Sequence, residues 1–207
     1  MHPLSSLRRA LATAGAAGPV AFAAASVLIG TLKPGYDIRD QSVSELAVGG
    51  YGWLQTANFF ALGAAMIASA IALALAAGRS RAAVALVGIA GAGMVAVGCF
   101  PPDLAGAAPT PDGAAHNTLS LGVFLALIAA AALYGRALRR AAIDRRLARY
   151  STLTAVAVFV LFAVFAVFAG DVGDPLHAVS GLLERAFIAA ALAWMTVVSV
   201  RATRAEA

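Results

Sequence analysis

The sequence predicts an all-α integral membrane bundle of six transmembrane helices, and three observations predict it. The 207-residue chain is 61% hydrophobic and only 12% charged, with mean hydropathy +0.86, far too apolar for a water-soluble domain. Its apolar residues fall into six runs near the roughly 20 residues that cross a hydrocarbon core about 30 Å thick. Twelve of its fifteen Lys and Arg residues lie on alternate connections between those runs. The runs lack the in-out alternation of a barrel strand, and lipid cannot satisfy the edge of an open sheet. Helices remain.

The first span, about 11–32, follows Arg8 and Arg9 and holds Gly18-Pro19, where a bend is expected. This start resembles a signal peptide, but its apolar run is long and leads into a loop that the six-span count needs, so it is read as a retained helix. The loop 33–53 carries Gly49, Gly50 and Gly52 for tight turns, and Tyr51 and Trp53 for the water–lipid boundary. The second span, about 54–77, contains Asn58.

The third span, about 82–100, holds Gly88, Gly91, Gly93 and Gly98, which suit close packing within one chain or between two. The lone Cys99 has no partner for an intramolecular disulfide and reads as a small packing residue. Pro101 and Pro102 end this helix because neither has an amide proton to continue it. His116 and Asn117 open the fourth span, about 117–134, where either side chain can cap free amides. The connection RALRRAAIDRRLAR is expected to form a helix at the membrane surface. The fifth and sixth spans, about 151–169 and 178–200, complete a single domain over 1–207.

Charge gives the orientation. Arg8, Arg9, Arg79, Arg81, the six arginines from Arg136 to Arg149, Arg201 and Arg204 all fall on one side. By the positive-inside rule that side and both termini are cytoplasmic, in a multi-pass protein expected in the plasma membrane. The net charge of +5 is thus a topology signal and not a nucleic-acid footprint. The opposite side collects Asp37, Asp40, Glu45, Asp103, Asp112, Asp171 and Asp174 with His116 and His177.

Two stretches concentrate that chemistry: FPPDLAGAAPTPDGAAHN, from Phe100, and GDVGDPLHAVSGLLER, from Gly170. At about 100° per residue, Asp174, His177, Gly181 and Glu184 share one helical stripe. Glu184 and Arg185 lie about two turns inside the apolar run, where ionisable groups are costly and face the bundle interior. They are expected either to belong to a site or to form a polar clamp on Asn58 or the first outer loop. Ser44, Glu45, Asn58, Asp103, His116, Asp174, His177, Glu184 and Arg185 are therefore expected to build an outward-facing polar cavity. Its ligand would be a lipid or other amphiphile, the tail between helices and the head group at Arg185 and the histidines.

In an enzymatic reading, a lipid-modifying enzyme or hydrolase, His116 or His177 is base or ligand and Asp103 or Glu184 is acid or orienter. A zinc ion would take His116, His177 and Asp103, although no HExxH, close His pair or Cys pair is present; a metal-free acid–base pair stays equally open. Ser44 lacks a GxSxG nucleophile elbow. In the competing reading the protein is a non-enzymatic sensor, transporter or assembly partner whose polar cluster is structural. The absence of an evident repeat or broken central helix counts against transport.

SVSELAVGGYGWLQTANFFALG, FPPD, the histidine of AAHN, and GLLERAF, in that order, resemble the bacterial and archaeal membrane family called domain of unknown function 998. The resemblance covers nearly the whole chain and implies a six-helix membrane protein without a settled activity. A fainter similarity, in a Ser, an Asp and histidines near one membrane face, is to the membrane hydrolases that include alkaline ceramidases. Their pattern has three histidines at zinc. Here the bundle has His116 and His177, with His2 on the opposite side.

Overall fold

The computed structural model describes residues 3–76, 80–168 and 175–204, and among these it contains six long helices and no strand. They are α1 (Pro3–Leu32), α2 (Gly52–Leu75), α3 (Arg81–Val97), α4 (Pro111–Arg140), α5 (Arg145–Phe168) and α6 (Ser180–Arg204). All but α3 are long and apolar enough to cross a membrane. The 17 residues of α3 extend about 25 Å, somewhat less than the hydrocarbon core of about 30 Å. The architecture is a helical membrane bundle.

Each helix packs on its predecessor and α6 packs on α1, so the six close a ring, with α6 also touching α2 across it. The ring is apolar outside: Leu28, Ile89, Leu153, Phe159 and Val167 are exposed. Polar groups point inward, including Gln55, Ser69, Ser151, Ser199, His116 and Glu184. Lipid as solvent selects that inversion. Phe187 anchors the centre, meeting Phe124 edge-on at 4.8 Å and Phe162 at 5.4 Å between ring centroids. Ser69 and Ser199 share a 2.7 Å hydrogen bond beside Gly15, the small-residue contact typical of membrane helices.

Several helix ends differ from the sequence expectation. α4 starts earlier, because Thr110 caps it by accepting from the Gly113 amide at 3.0 Å and Pro111 occupies its first turn. His116 is therefore inside the helix, and Asn117 is exposed and caps nothing. The arginine-rich connection forms no separate surface helix. Instead α4 continues to Arg140 and α5 begins at Arg145. Between them Ala142 adopts φ 53°, with Ala142 N–H bonded to Arg139 O at 3.1 Å and Ile143 N–H to Leu138 O at 3.4 Å, a Schellman closure. Asp144 then caps α5 through the Leu147 amide at 2.9 Å and pairs with Arg201 at 3.3 Å.

α1 runs through Pro19 as one helix. The glycines of α3 pack within the chain: a Cβ on Gly91 would lie 2.9 Å from the Gly63 carbonyl oxygen, and one on Gly98 2.7 Å from Phe60. Cys99 is exposed just beyond α3 and not a packing residue.

Candidate functional site

The loop between α1 and α2 is organised by its own sequence. Ser42-Val43-Ser44-Glu45 forms a reciprocal capping box: Glu45 N–H donates to Ser42 Oγ at 3.2 Å, and Ser42 N–H donates to Glu45 Oε1 at 3.1 Å. The 3-10 turn Ser44–Ala47 follows from it. Lys33 Nζ donates to the Glu45 carbonyl, and the Tyr36 hydroxyl donates to the Ser42 carbonyl at 2.8 Å. Burial pushes the Tyr36 phenol up to about 12, against the opposing pull of Arg185.

The first turns of α6 then grip this loop. Arg185 Nη1 donates to the carbonyls of Ile38 at 3.1 Å, Gln41 at 2.9 Å and its own Gly181 at 2.7 Å, while Nη2 donates to the Tyr36 oxygen. Glu184 Oε2 accepts from Val43 N–H. Ser180 Oγ donates to Asp40 O at 2.7 Å, and Leu182 N–H to Arg39 O at 3.1 Å. Gly181 makes the approach possible, since a Cβ there would lie 2.4 Å from Gln41 O. The expected clamp therefore falls on the α1–α2 loop, and Asn58 is not part of it. Asn58 instead joins α1 to α2, donating to Phe22 O and Ser26 Oγ, each at 3.1 Å.

Beneath the loop lies a cavity of about 470 Å³. Of the expected residues, it is lined by Ser44, Glu45, Asp103, His116, His177 and Glu184. Asn58 and Arg185 do not line it, and Asp174 lies outside the described residues. Its deeper wall is apolar, with Phe22, Phe59, Met66, Phe124, Phe162 and Phe187. No Lys or Arg lines it among the described residues.

Asp103 on its wall is already committed, accepting from Thr110 N–H at 3.0 Å and Thr110 Oγ1 at 2.8 Å. Those bonds hold its carboxyl below the usual aspartate value. Two other polar groups have unused capacity. His116 is 2% exposed; the Phe100 and Val97 carbonyls face its ring, and Nδ1 lies 2.8 Å from Phe100 O. A carbonyl only accepts, so Nδ1 is the donor, and in the imidazole form Nε2 is then a bare acceptor. Nε2 is buried without a hydrogen-bond partner, and so is Oδ1 of Asp40, whose residue also lines the cavity.

Among the described residues, no three His, Cys, Asp or Glu side chains converge as a metal site would require. Sequence reasoning missed Tyr36, Asp40, Ser180 and Thr110 as working parts. Thr110 before Pro111 is a cap signal that could have been read. Tyr36 and Asp40 carry no local signal, because their roles depend on a helix about 140 residues away.

Comparison with known proteins adds a family. The sequence model of a family described as "Protein of unknown function (DUF998)" matches residues 16–201. Neither a curated protein nor a solved structure matches.

Proposed function

Because the chain belongs to the DUF998 family, whose activity is unknown, its function must come from its own geometry, and we propose that it binds an amphiphile whose head group donates hydrogen bonds. In this reading it is a six-span protein of a bacterial plasma membrane with both termini cytoplasmic. The cavity under the first loop opens outward, and the acyl tail lies along the phenylalanine wall.

One observation carries the reading: two residues that line the cavity each hold a buried acceptor, His116 Nε2 and Asp40 Oδ1, that has no hydrogen-bond partner. Each buried unmet polar atom costs roughly 1–3 kcal/mol. A diol or an ammonium head carries the two donors that they need. Asp40, Glu45, Asp103 and Glu184 line the same cavity and disfavour an anionic head.

The test is binding of a monoacylglycerol, a long-chain amine and a fatty acid of equal tail length, followed by native mass spectrometry. The first two are expected to bind and the fatty acid to be excluded. His116→Phe and Asp40→Ala should abolish binding, Asp40→Ala at unchanged melting temperature because it leaves the Ser180 bond, which uses the backbone carbonyl. Equal binding of all three heads, or unchanged binding in both variants, would sink the proposal. An acid–base role for His116 uses the same lone pair, and release of fatty acid from the monoacylglycerol by the wild type alone would reveal it. For orientation, a Cys99→Ser, Ala107→Cys protein should react with a membrane-impermeant maleimide on intact cells.

A further inference from the structure

A second recess lies on the outside of the ring between α1 and α6, with a volume of about 1270 Å³. That exceeds the roughly 300–1,000 Å³ of ordinary small-molecule sites. It is lined from Pro19 to Lys33 on the α1 side and from Arg185 to Val197 on α6. The α6 stretch is about 18 Å long by helical rise, close to the roughly 15 Å of one leaflet's hydrocarbon. Ile188 and Leu192 line it, and Val20, Val27 and Ala193 are exposed along it. Towards its far end the helices come together, with Thr196 Oγ1 3.4 Å from Ala16 O.

At the loop end the chemistry changes. Lys33 Nζ and the Arg185 guanidinium carbon lie 5.7 and 5.6 Å from the centroid of the Tyr36 ring, so two cations flank one phenol. All three residues line the recess. Asp37 lines it too, but its Oδ1 accepts from Arg39 N–H at 2.9 Å. Of the three donors on a lysine ammonium, one goes to the Glu45 carbonyl. Burial lowers the Lys33 ammonium below the ordinary lysine value, with Glu45 opposing, and an added anion would relieve that cost.

We propose that this groove seats an anionic glycerophospholipid from the leaflet at the loop end. Its phosphate lies against Lys33 and Arg185, and one acyl chain follows α6 past Ile188 and Leu192. The two cations exclude a purely apolar occupant as the best fit, and the apolar length below them excludes a soluble anion. This site is independent of the amphiphile cavity and opposite to it in charge, although Phe22, Val43, Ile188 and Leu192 line both.

Purified protein in detergent would be titrated with phosphatidylglycerol and with phosphatidylcholine of identical tails, and retained lipid counted by native mass spectrometry. One phosphatidylglycerol is expected to be retained, with phosphatidylcholine at least about tenfold weaker, the scale of a charge-assisted contact. Lys33→Met should remove that preference. Ala189→Trp or Ala23→Trp, at exposed groove positions, should remove lipid retention while leaving melting temperature and monoacylglycerol binding unchanged. Equal retention of the two lipids by the wild type, or phosphatidylglycerol retention that survives both tryptophan variants, would overturn the assignment.

Discussion

Arg185 and Tyr36 hold one another across 149 residues of chain: the guanidinium donates to the phenol oxygen and its carbon sits 5.6 Å from the ring centroid. With its pKa pushed up to about 12, the phenol stays neutral in ordinary buffers and keeps donating to the Ser42 carbonyl. One side chain from α6 thus organises both a loop and the mouth of a groove.

Arg185→Met removes the donors to Ile38 and Gln41 and leaves the loop without its main tie. We expect a stability loss on the order of 3 kcal/mol and faster proteolysis between residues 36 and 43. Arg185→Lys should recover only a minor part, because an ammonium cannot reproduce the guanidinium fork. A melting temperature unchanged in Arg185→Met would show that the clamp is ornamental.

Gly181→Ala places a methyl 2.4 Å from Gln41 O and 2.7 Å from Ile38 O. Both are backbone atoms, so the loop must move away. Destabilisation of roughly 1–3 kcal/mol is expected, together with faster hydrogen exchange at the Leu182 amide, which donates to Arg39 O. Exchange at that amide unchanged by the Gly181→Ala substitution would refute the close approach.

Acid should loosen the 101–110 loop through Asp103. A carboxyl held below its unfolded value stabilises the fold above that value, near 4, and loses the contribution as pH falls through the lower, folded one. Exchange of the Thr110 amide should therefore rise below pH about 4. Thr110→Val, which removes the hydroxyl donor, should start that rise at higher pH; identical profiles would contradict the assignment.

Ala142→Gly should stabilise the protein. Ala142 sits at φ 53°, a conformation that costs a residue with a Cβ about 1–2 kcal/mol. A melting temperature raised by a few degrees is expected, whereas a lowered one would mean the Schellman turn between α4 and α5 is misassigned.

The bundle was legible because lipid leaves few alternatives: uncharged runs of the right length must be helices, and the family motifs agreed. Helix ends were less legible, since α4 starts where Thr110 meets Pro111 and not where the apolar run begins. The depth of Glu184 marked it as unusual, and so did that of Arg185. Their partition was hidden. Adjacent helical residues point about 100° apart, so Glu184 faces the cavity and Arg185 the α1–α6 groove, and their partners are peptide groups no sequence pattern marks. His116 was legible as a candidate, but the Phe100 carbonyl that sets its tautomer was not.

The grip of α6 on residues 38 to 43 is made entirely through peptide carbonyls and one amide. The side chains of Ile38 and Arg39 take no part in that anchorage, so mutational drift can rewrite those two positions at little cost as long as the chain keeps its course. Selection is left free to tune what those two positions show to the medium above, while Ser180, Gly181, Glu184 and Arg185, together with the Ser42–Glu45 box, carry the constancy.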